Sequence, residues 1–117
     1  MEISQPGVIL FTDDYEACVA FYRDRLGLPV TQEKDTLTRF AFGPAYLMVE
    51  RGGPPAARER SRAQNPTILR FDVDDVQAAA DELTGKGVAV EVRALPWGTI
   101  GIFLDPDGNR CELKNAR

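Results

Sequence analysis

Hydrophobic positions along the chain switch between a strand pattern and a helical one, and the sequence of switches runs twice. Residues 7–12, Gly-Val-Ile-Leu-Phe-Thr, form an apolar run of strand length. Asp13 follows in an N-cap position, with Glu16 three residues on to complete a capping box. The spacing then becomes helical to about Leu26 and stops at Gly27, a residue suited to a left-handed cap. The second half repeats this order. Residues 67–73 read as a strand, Asp74 as a cap with Gln77 as its box partner, and a helix ends near Lys86-Gly87. The pattern predicts helices over 14–26 and 75–85. Asp13-Asp14-x-x-Ala17 recurs as Asp74-Asp75-x-x-Ala78 at an offset of 61, while Gly27 recurs as Gly87 at an offset of 60.

The tails of the halves correspond as well. Strand-like stretches near 29–33, 36–42 and 45–50 follow Gly27, the last two joined at Gly43-Pro44. Stretches near 88–93, 99–104 and 109–114 follow Gly87, the last two joined by the turn signal Asp105-Pro106-Asp107-Gly108. Each half is therefore βαβββ: module one over 7–50 and module two over 66–114, in a single domain spanning 1–117. The linker, 51–65, is polar and contains Gly52-Gly53-Pro54-Pro55, which suggests a mobile surface loop. One module alone leaves an apolar sheet face bare. The expected fold class is α+β, with two βαβββ modules forming one curved mixed sheet, helices on the convex face and a cleft on the concave face.

Strand alternation sorts the side chains between these faces. Leu69, Phe71 and Val73 are expected against the helices, with Ile68, Arg70 and Asp72 in the cleft. Leu47 and Val49 go inward, while Tyr46, Met48 and Glu50 line the cleft. Cys111 and Leu113 go inward, and Arg110, Glu112 and Lys114 face the cleft.

Composition narrows the chemistry. The chain has 117 residues, is 44% hydrophobic and 27% charged, and contains no histidine. That absence removes Ser-His-Asp and Cys-His catalysis and the imidazole ligands of most catalytic metal sites. Cys18 and Cys111 sit among apolar residues and read as packing residues. The net charge is −4, with no basic stripe of the kind that binds nucleic acid. Segment 51–65 carries +3, so the remainder is strongly acidic and would favour cationic small molecules. No apolar run reaches membrane-spanning length, and the N-terminus lacks the parts of a signal peptide, so a cytoplasmic location is expected.

Two stretches carry a family likeness. Phe21-Tyr22-Arg23-Asp24-Arg25-Leu26-Gly27-Leu28 resembles the first-helix ending of glyoxalase and bleomycin-resistance proteins. Phe103-Leu104-Asp105-Pro106-Asp107-Gly108-Asn109-Arg110-Cys111-Glu112-Leu113 resembles their closing hairpin, and Pro96-Trp97-Gly98 is also common there. The likeness, to the vicinal-oxygen-chelate superfamily that also holds the extradiol dioxygenases, covers almost the whole chain. It implies four cleft-facing ligand positions for a metal that polarises two substrate oxygens. These positions fall at Gly7, at Met48 (with Glu50 two residues on), at Ile68 and at Glu112. Only Glu112 retains a usable donor, so no metal or other cofactor is expected.

Glu112 has three readings: an ion pair with Arg70 or Arg110, a carboxylate that attracts a cationic ligand, or a general base. Trp97 either packs or stacks on a planar ligand. The resulting expectation is a metal-free small-molecule binding protein resembling the bleomycin-resistance class, a homodimer taking a planar or cationic ligand. Its cleft would comprise Glu112, Glu50, Met48, Trp97, Arg70, Ile68, Tyr46, Phe11 and Phe40. The alternatives are a glyoxalase-like lyase or isomerase of the lactoylglutathione lyase type with an incomplete metal site, and a non-catalytic partner subunit with a vestigial cleft.

Overall fold

The computed structural model describes residues 1–56 and 58–115. Strand β1 (Gly7–Thr12) leads into helix α1 (Tyr15–Ala20), followed by β2 (Val30–Glu33), β3 (Leu37–Phe42) and β4 (Ala45–Arg51). The order then recurs as β5 (Leu69–Val73), α2 (Val76–Gly85), β6 (Glu91–Leu95), β7 (Gly98–Leu104) and β8 (Arg110–Asn115). The class is α+β with two βαβββ modules. Hydrogen bonding gathers the strands into two four-stranded sheets, ordered β1-β4-β3-β2 and β5-β8-β7-β6. In each, the first strand runs parallel to the last, and the other neighbours are antiparallel. The chain divides into two compact units, Met1–Ala56 and Ala57–Arg117.

Both helices start one residue later than the capping-box spacing suggests. Asp14 accepts from the Ala17 backbone N–H at 3.2 Å, and Asp75 accepts from that of Ala78 at 3.0 Å. The box partners are engaged elsewhere: Glu16 pairs with Arg51 at 2.6 Å, and Gln77 donates to Asp81 at 2.9 Å. Helix α2 ends in a Schellman arrangement. The Val88 N–H reaches the Leu83 carbonyl and that of Gly87 reaches the Thr84 carbonyl, with Gly87 at φ +84°. This cap consumes Gly87 and Val88, so the strand expected from 88 begins only at Glu91.

Helix α1 widens into a π turn over Phe21–Arg25 before Gly27, where the Leu26 N–H reaches back five residues to the Phe21 carbonyl. The wide turn accounts for the mismatched offsets. Cap to glycine is one residue longer in the first module than in the second, and a π bulge absorbs one extra residue within a helix.

The core follows the strand alternation. In the first unit Cys18, Tyr22, Phe40, Leu47 and Val49 are fully buried between α1 and its sheet. The Tyr15 and Thr38 hydroxyls share a buried 2.6 Å hydrogen bond there, so neither polar atom is stranded. In the second unit Val76, Ala80 and Leu83 of α2 pack with Phe103, Cys111 and Leu113. Both cysteines are buried thiols.

The β7–β8 turn is a polar knot inside the second unit. The buried Asp105 carboxylate accepts from the backbone N–H groups of Asp107 and Asn109, each at 2.9 Å, and from the Asn109 side chain at 3.0 Å. The linker docks on this knot, which corrects the expectation of a free loop across 51–65. Arg60 donates to the Asp107 carbonyl and carboxylate, both at 3.0 Å, and Asn65 donates to Asn109 at 2.8 Å. The Arg60 side chain is only 10% exposed.

Replacing Asp105 with Ala strands three buried donors at once. Each lost partner costs about 1–3 kcal/mol, so Asp105→Ala should destabilise the protein by about 3 kcal/mol or more in urea denaturation. A loss below about 1 kcal/mol would show that the knot is not what holds this turn.

Candidate functional site

In the first unit, register decides which side chains share the sheet face turned away from α1. Gly7, Tyr46 and Ala41 lie in one row, Ile9, Met48 and Arg39 in the next, and Phe11, Glu50 and Leu37 in the third. Ile9 and Phe11 are exposed, whereas Tyr46, Met48 and Glu50 are half-buried. Phe40 is not on this face. It pairs with Leu47, is fully buried and sits with its ring 6.2 Å from that of Tyr22. It belongs to the core, because β3 alternation turns Arg39, not Phe40, to the open side. Arg39 is thus a residue of this face that the sequence reading missed, although its place between Thr38 and Phe40 marks it.

The Tyr46 ring lies directly over Gly7: a Cβ built on that glycine would meet the ring at 2.0 Å. The Arg39 guanidinium stacks on the same ring, 3.9 Å from its centroid, and its Nη2 donates to Gln5 at 2.7 Å. The first of the four ligand positions therefore lacks a donor and is also roofed by an aromatic ring.

In the second unit, the fourth position is built very differently. Glu112 is 4% exposed on β8, directly opposite Arg70 of β5 and Ile102 of β7. Arg70 donates through Nε and Nη2 to Oε1, at 3.2 and 2.9 Å. Arg110, two residues before Glu112 and so on the same face, donates through Nε and Nη2 to Oε2, again at 3.2 and 2.9 Å. Both carboxylate oxygens are thereby held by charge-assisted bonds. The cluster has one net positive charge. Next to it, a 2.6 Å hydrogen bond from Arg93 holds the Glu91 carboxyl below its ordinary value against the opposing effect of desolvation, and the charge of Arg110 adds to this.

These residues do not fit the implied metal. Gly7 is covered, Met48 offers a thioether, Ile68 offers no donor, and the Glu112 oxygens are already taken. Among the described residues no three His, Cys, Asp or Glu side chains gather into a possible metal site. The cation-attracting role expected of Glu112 also lacks a basis, since its charge is answered twice. Glu50 lies on the first sheet.

Two further expected residues are placed as follows. Ile68 is half-buried just before β5, where it lines a cavity of about 230 Å³ together with Arg110 and linker residues. Trp97 is 59% exposed at the tip of the β6–β7 hairpin, whose last pair is Leu95–Gly98. Along β7 the tip lies about four residues, roughly 13 Å, beyond the level of Glu112. Stacking at Trp97 and charge at Glu112 are thus not brought together on this sheet.

The clasp predicts an asymmetric mutational response. Removing both arginines leaves a buried carboxylate with no partner, which costs about 3–5 kcal/mol. Glu112→Gln instead leaves two partly exposed guanidiniums that can turn to water. In chemical denaturation Arg70→Ala/Arg110→Ala should therefore lose several-fold more stability than Glu112→Gln. Equal losses would contradict the charge assignment.

The geometry can be set beside known proteins. The family model described as Glyoxalase/Bleomycin resistance protein/Dioxygenase superfamily matches residues 5–113. A protein of Bacillus subtilis (strain 168), called uncharacterized protein YraH, is 29% identical, over 89% of this chain and 91% of its own. The crystal structure of a lactoylglutathione lyase from Agrobacterium tumefaciens superposes with a TM-score of 0.76 at 24% identity, covering 98% of this chain and 95% of that one. A glyoxalase/bleomycin resistance protein/dioxygenase from Nocardioides gives a TM-score of 0.79 at 16% identity, covering 98% and 84%. At these identities the two structures speak for the fold alone. The duplicated βαβββ order, the closing hairpin and a family match spanning nearly every residue lead to one conclusion: the chain belongs to the glyoxalase/bleomycin resistance protein/dioxygenase superfamily.

Proposed function

We propose that this chain is a metal-independent small-molecule binding protein, similar in kind to the bleomycin-resistance branch of its superfamily. The observation that carries this reading is the double clasp on Glu112. A carboxylate whose two oxygens already accept from Arg70 and Arg110 would have to shed at least one of these partners before it could ligate an ion. The ring over Gly7 supports the same reading from the other module. What remains on the open sheet faces is suited to binding: exposed apolar side chains at Ile9 and Phe11, and arginine edges around Glu112.

The chemistry also weighs against a lyase of the lactoylglutathione type. Such a reaction needs a Lewis acid on the substrate oxygens and a base nearby. Glu112 is the one carboxylate retained at a ligand position, and its geometry is that of a structural ion pair. Purified protein incubated with zinc, nickel, iron or manganese and then desalted should retain well under one ion per chain. It should also show no lactoylglutathione lyase activity above the uncatalysed rate. Retention of about one ion per chain, lost in Glu112→Ala, would overturn the proposal.

We also propose a homodimer. β1 ends its sheet and exposes Val8, Ile9 and Phe11, an apolar edge of the kind that isolated proteins keep covered. A second copy is the simplest cover, since two-fold pairs are the commonest assemblies. Sedimentation at tens of micromolar should give twice the 12.9 kDa chain mass, and Phe11→Glu should shift the species toward monomer. A wild-type protein of monomer mass at that concentration would exclude the dimer.

A further inference from the structure

The linker and the start of β8 enclose the cavity of about 230 Å³ already met at Ile68. Its wall includes Arg62, Arg110, Ser61, Asn65 and Thr67 from the polar side and Ile68 from the apolar side. We infer that this cavity is a binding site for a small organic monoanion, a carboxylate carried on a compact apolar body. The inference deepens the binding-protein reading and rests on it.

Charge is the first argument. Arg60, at the same wall, is matched by Asp107, and Arg110 shares the single charge of Glu112 with Arg70. Glu59 offsets one further cation on the lining. Arg62 is exposed, and among the described residues it makes no ion pair or hydrogen bond. On the cavity lining itself Arg60, Arg62 and Arg110 outnumber Glu59, an excess of positive charge that favours a singly charged anion. An overall acidic chain that gathers positive charge at one cavity is a field arranged for an anion.

Donor geometry is the second argument. Arg110 uses Nε and Nη2 on Glu112, which leaves its Nη1 edge without a protein acceptor among the described residues. Being held through one edge, the guanidinium is pre-oriented and loses little freedom when the other edge takes a ligand. The Ser61 oxygen accepts from the Gln64 N–H, so its hydroxyl proton stays available to donate. Asn65 gives one amide proton to Asn109 and keeps the second. The polar lining is thus rich in donors, and the Arg fork matches a planar carboxylate.

Rigidity and size complete the case. The wall is not a loose loop, because Arg60 and Asn65 tie it to the buried β7–β8 turn. A volume of about 230 Å³ lies below the roughly 300–1,000 Å³ of typical drug-sized sites. A single ring or short chain bearing one carboxylate suits it.

Benzoate and its neutral isostere benzamide are suitable probes, titrated into 15N-labelled full-length protein and followed by amide and arginine Nε shifts. Benzoate should shift signals at 59–68 and at Arg110, and benzamide should bind there at least tenfold more weakly. Arg62→Gln, at an exposed residue with no ion pair among the described residues, should weaken benzoate about tenfold while leaving benzamide unchanged. Benzoate affinity should also fall as salt rises from 50 to 500 mM. Equal binding of the two probes, benzoate shifts confined to other residues, or no shift with either would each overturn the anion site. None of these bears on the metal-independent reading itself, which stands or falls on ion retention and lyase activity.

Discussion

Burying a carboxylate on a half-open sheet is unfavourable unless its charge is answered where it sits, and in this chain the answer comes from two guanidiniums. Glu112 is nearly sealed from water, and each of its oxygens takes two N–H bonds. The strand register makes this possible: β5 sets Arg70 directly across, and the two-residue strand period sets Arg110 on the same face. Everything else on the open face of the second sheet follows from that clasp. It removes the carboxylate from the pool of metal donors. It reverses the local sign of charge relative to an acidic chain. It also holds Arg110, a lining residue of the linker cavity, through its Nε and Nη2 groups.

The implied ligand positions of the two modules depart from a metal site in different physical ways. In the first, a donor is absent and its space is filled, since the Tyr46 ring lies over Gly7 under the Arg39 guanidinium. A histidine introduced at Gly7 would have to displace that ring and break the Arg39–Gln5 contact. In the second, the donor is present but committed. A single substitution would therefore not build an ion site, because the first position needs both a donor and space and the fourth needs release from an arginine.

Much of the fold was legible in the chain. Period-2 and helical patterns located both βαβββ modules, and the strand alternation put Leu47, Val49, Cys111 and Leu113 in the cores. What was not legible has specific causes. Adjacent aspartates, Asp13-Asp14 and Asp74-Asp75, offer two equivalent caps, and only the observed bonds select the second of each pair. Phe40 reads from the sequence as apolar cleft wall, but its pairing with Leu47 sets it on the core side. The π turn was written in the sequence as a one-residue difference between the offsets of 61 and 60, a signal with a structural meaning that the pattern alone does not name.

The site was less legible than the fold, and for a single reason. Sequence reading assigns side chains to faces, but it does not say which of several charges on one face will pair. Arg70, Arg110, Lys114 and Glu112 all alternate to the same side of the second sheet, and a carboxylate among three cations is open to several roles. Distance decides: both arginines reach Glu112 at 2.9 Å. The linker is the complementary case. Its arginines looked like solvated connector charge, yet Arg60 is held by the buried Asp107, and that contact, invisible to periodicity, turns a loop into a wall. Once the wall exists, Arg62 lines a cavity and no longer sits on an idle loop. The same composition that implied a cation-binding acidic protein thus supports, through its three-dimensional arrangement, a local preference for anions.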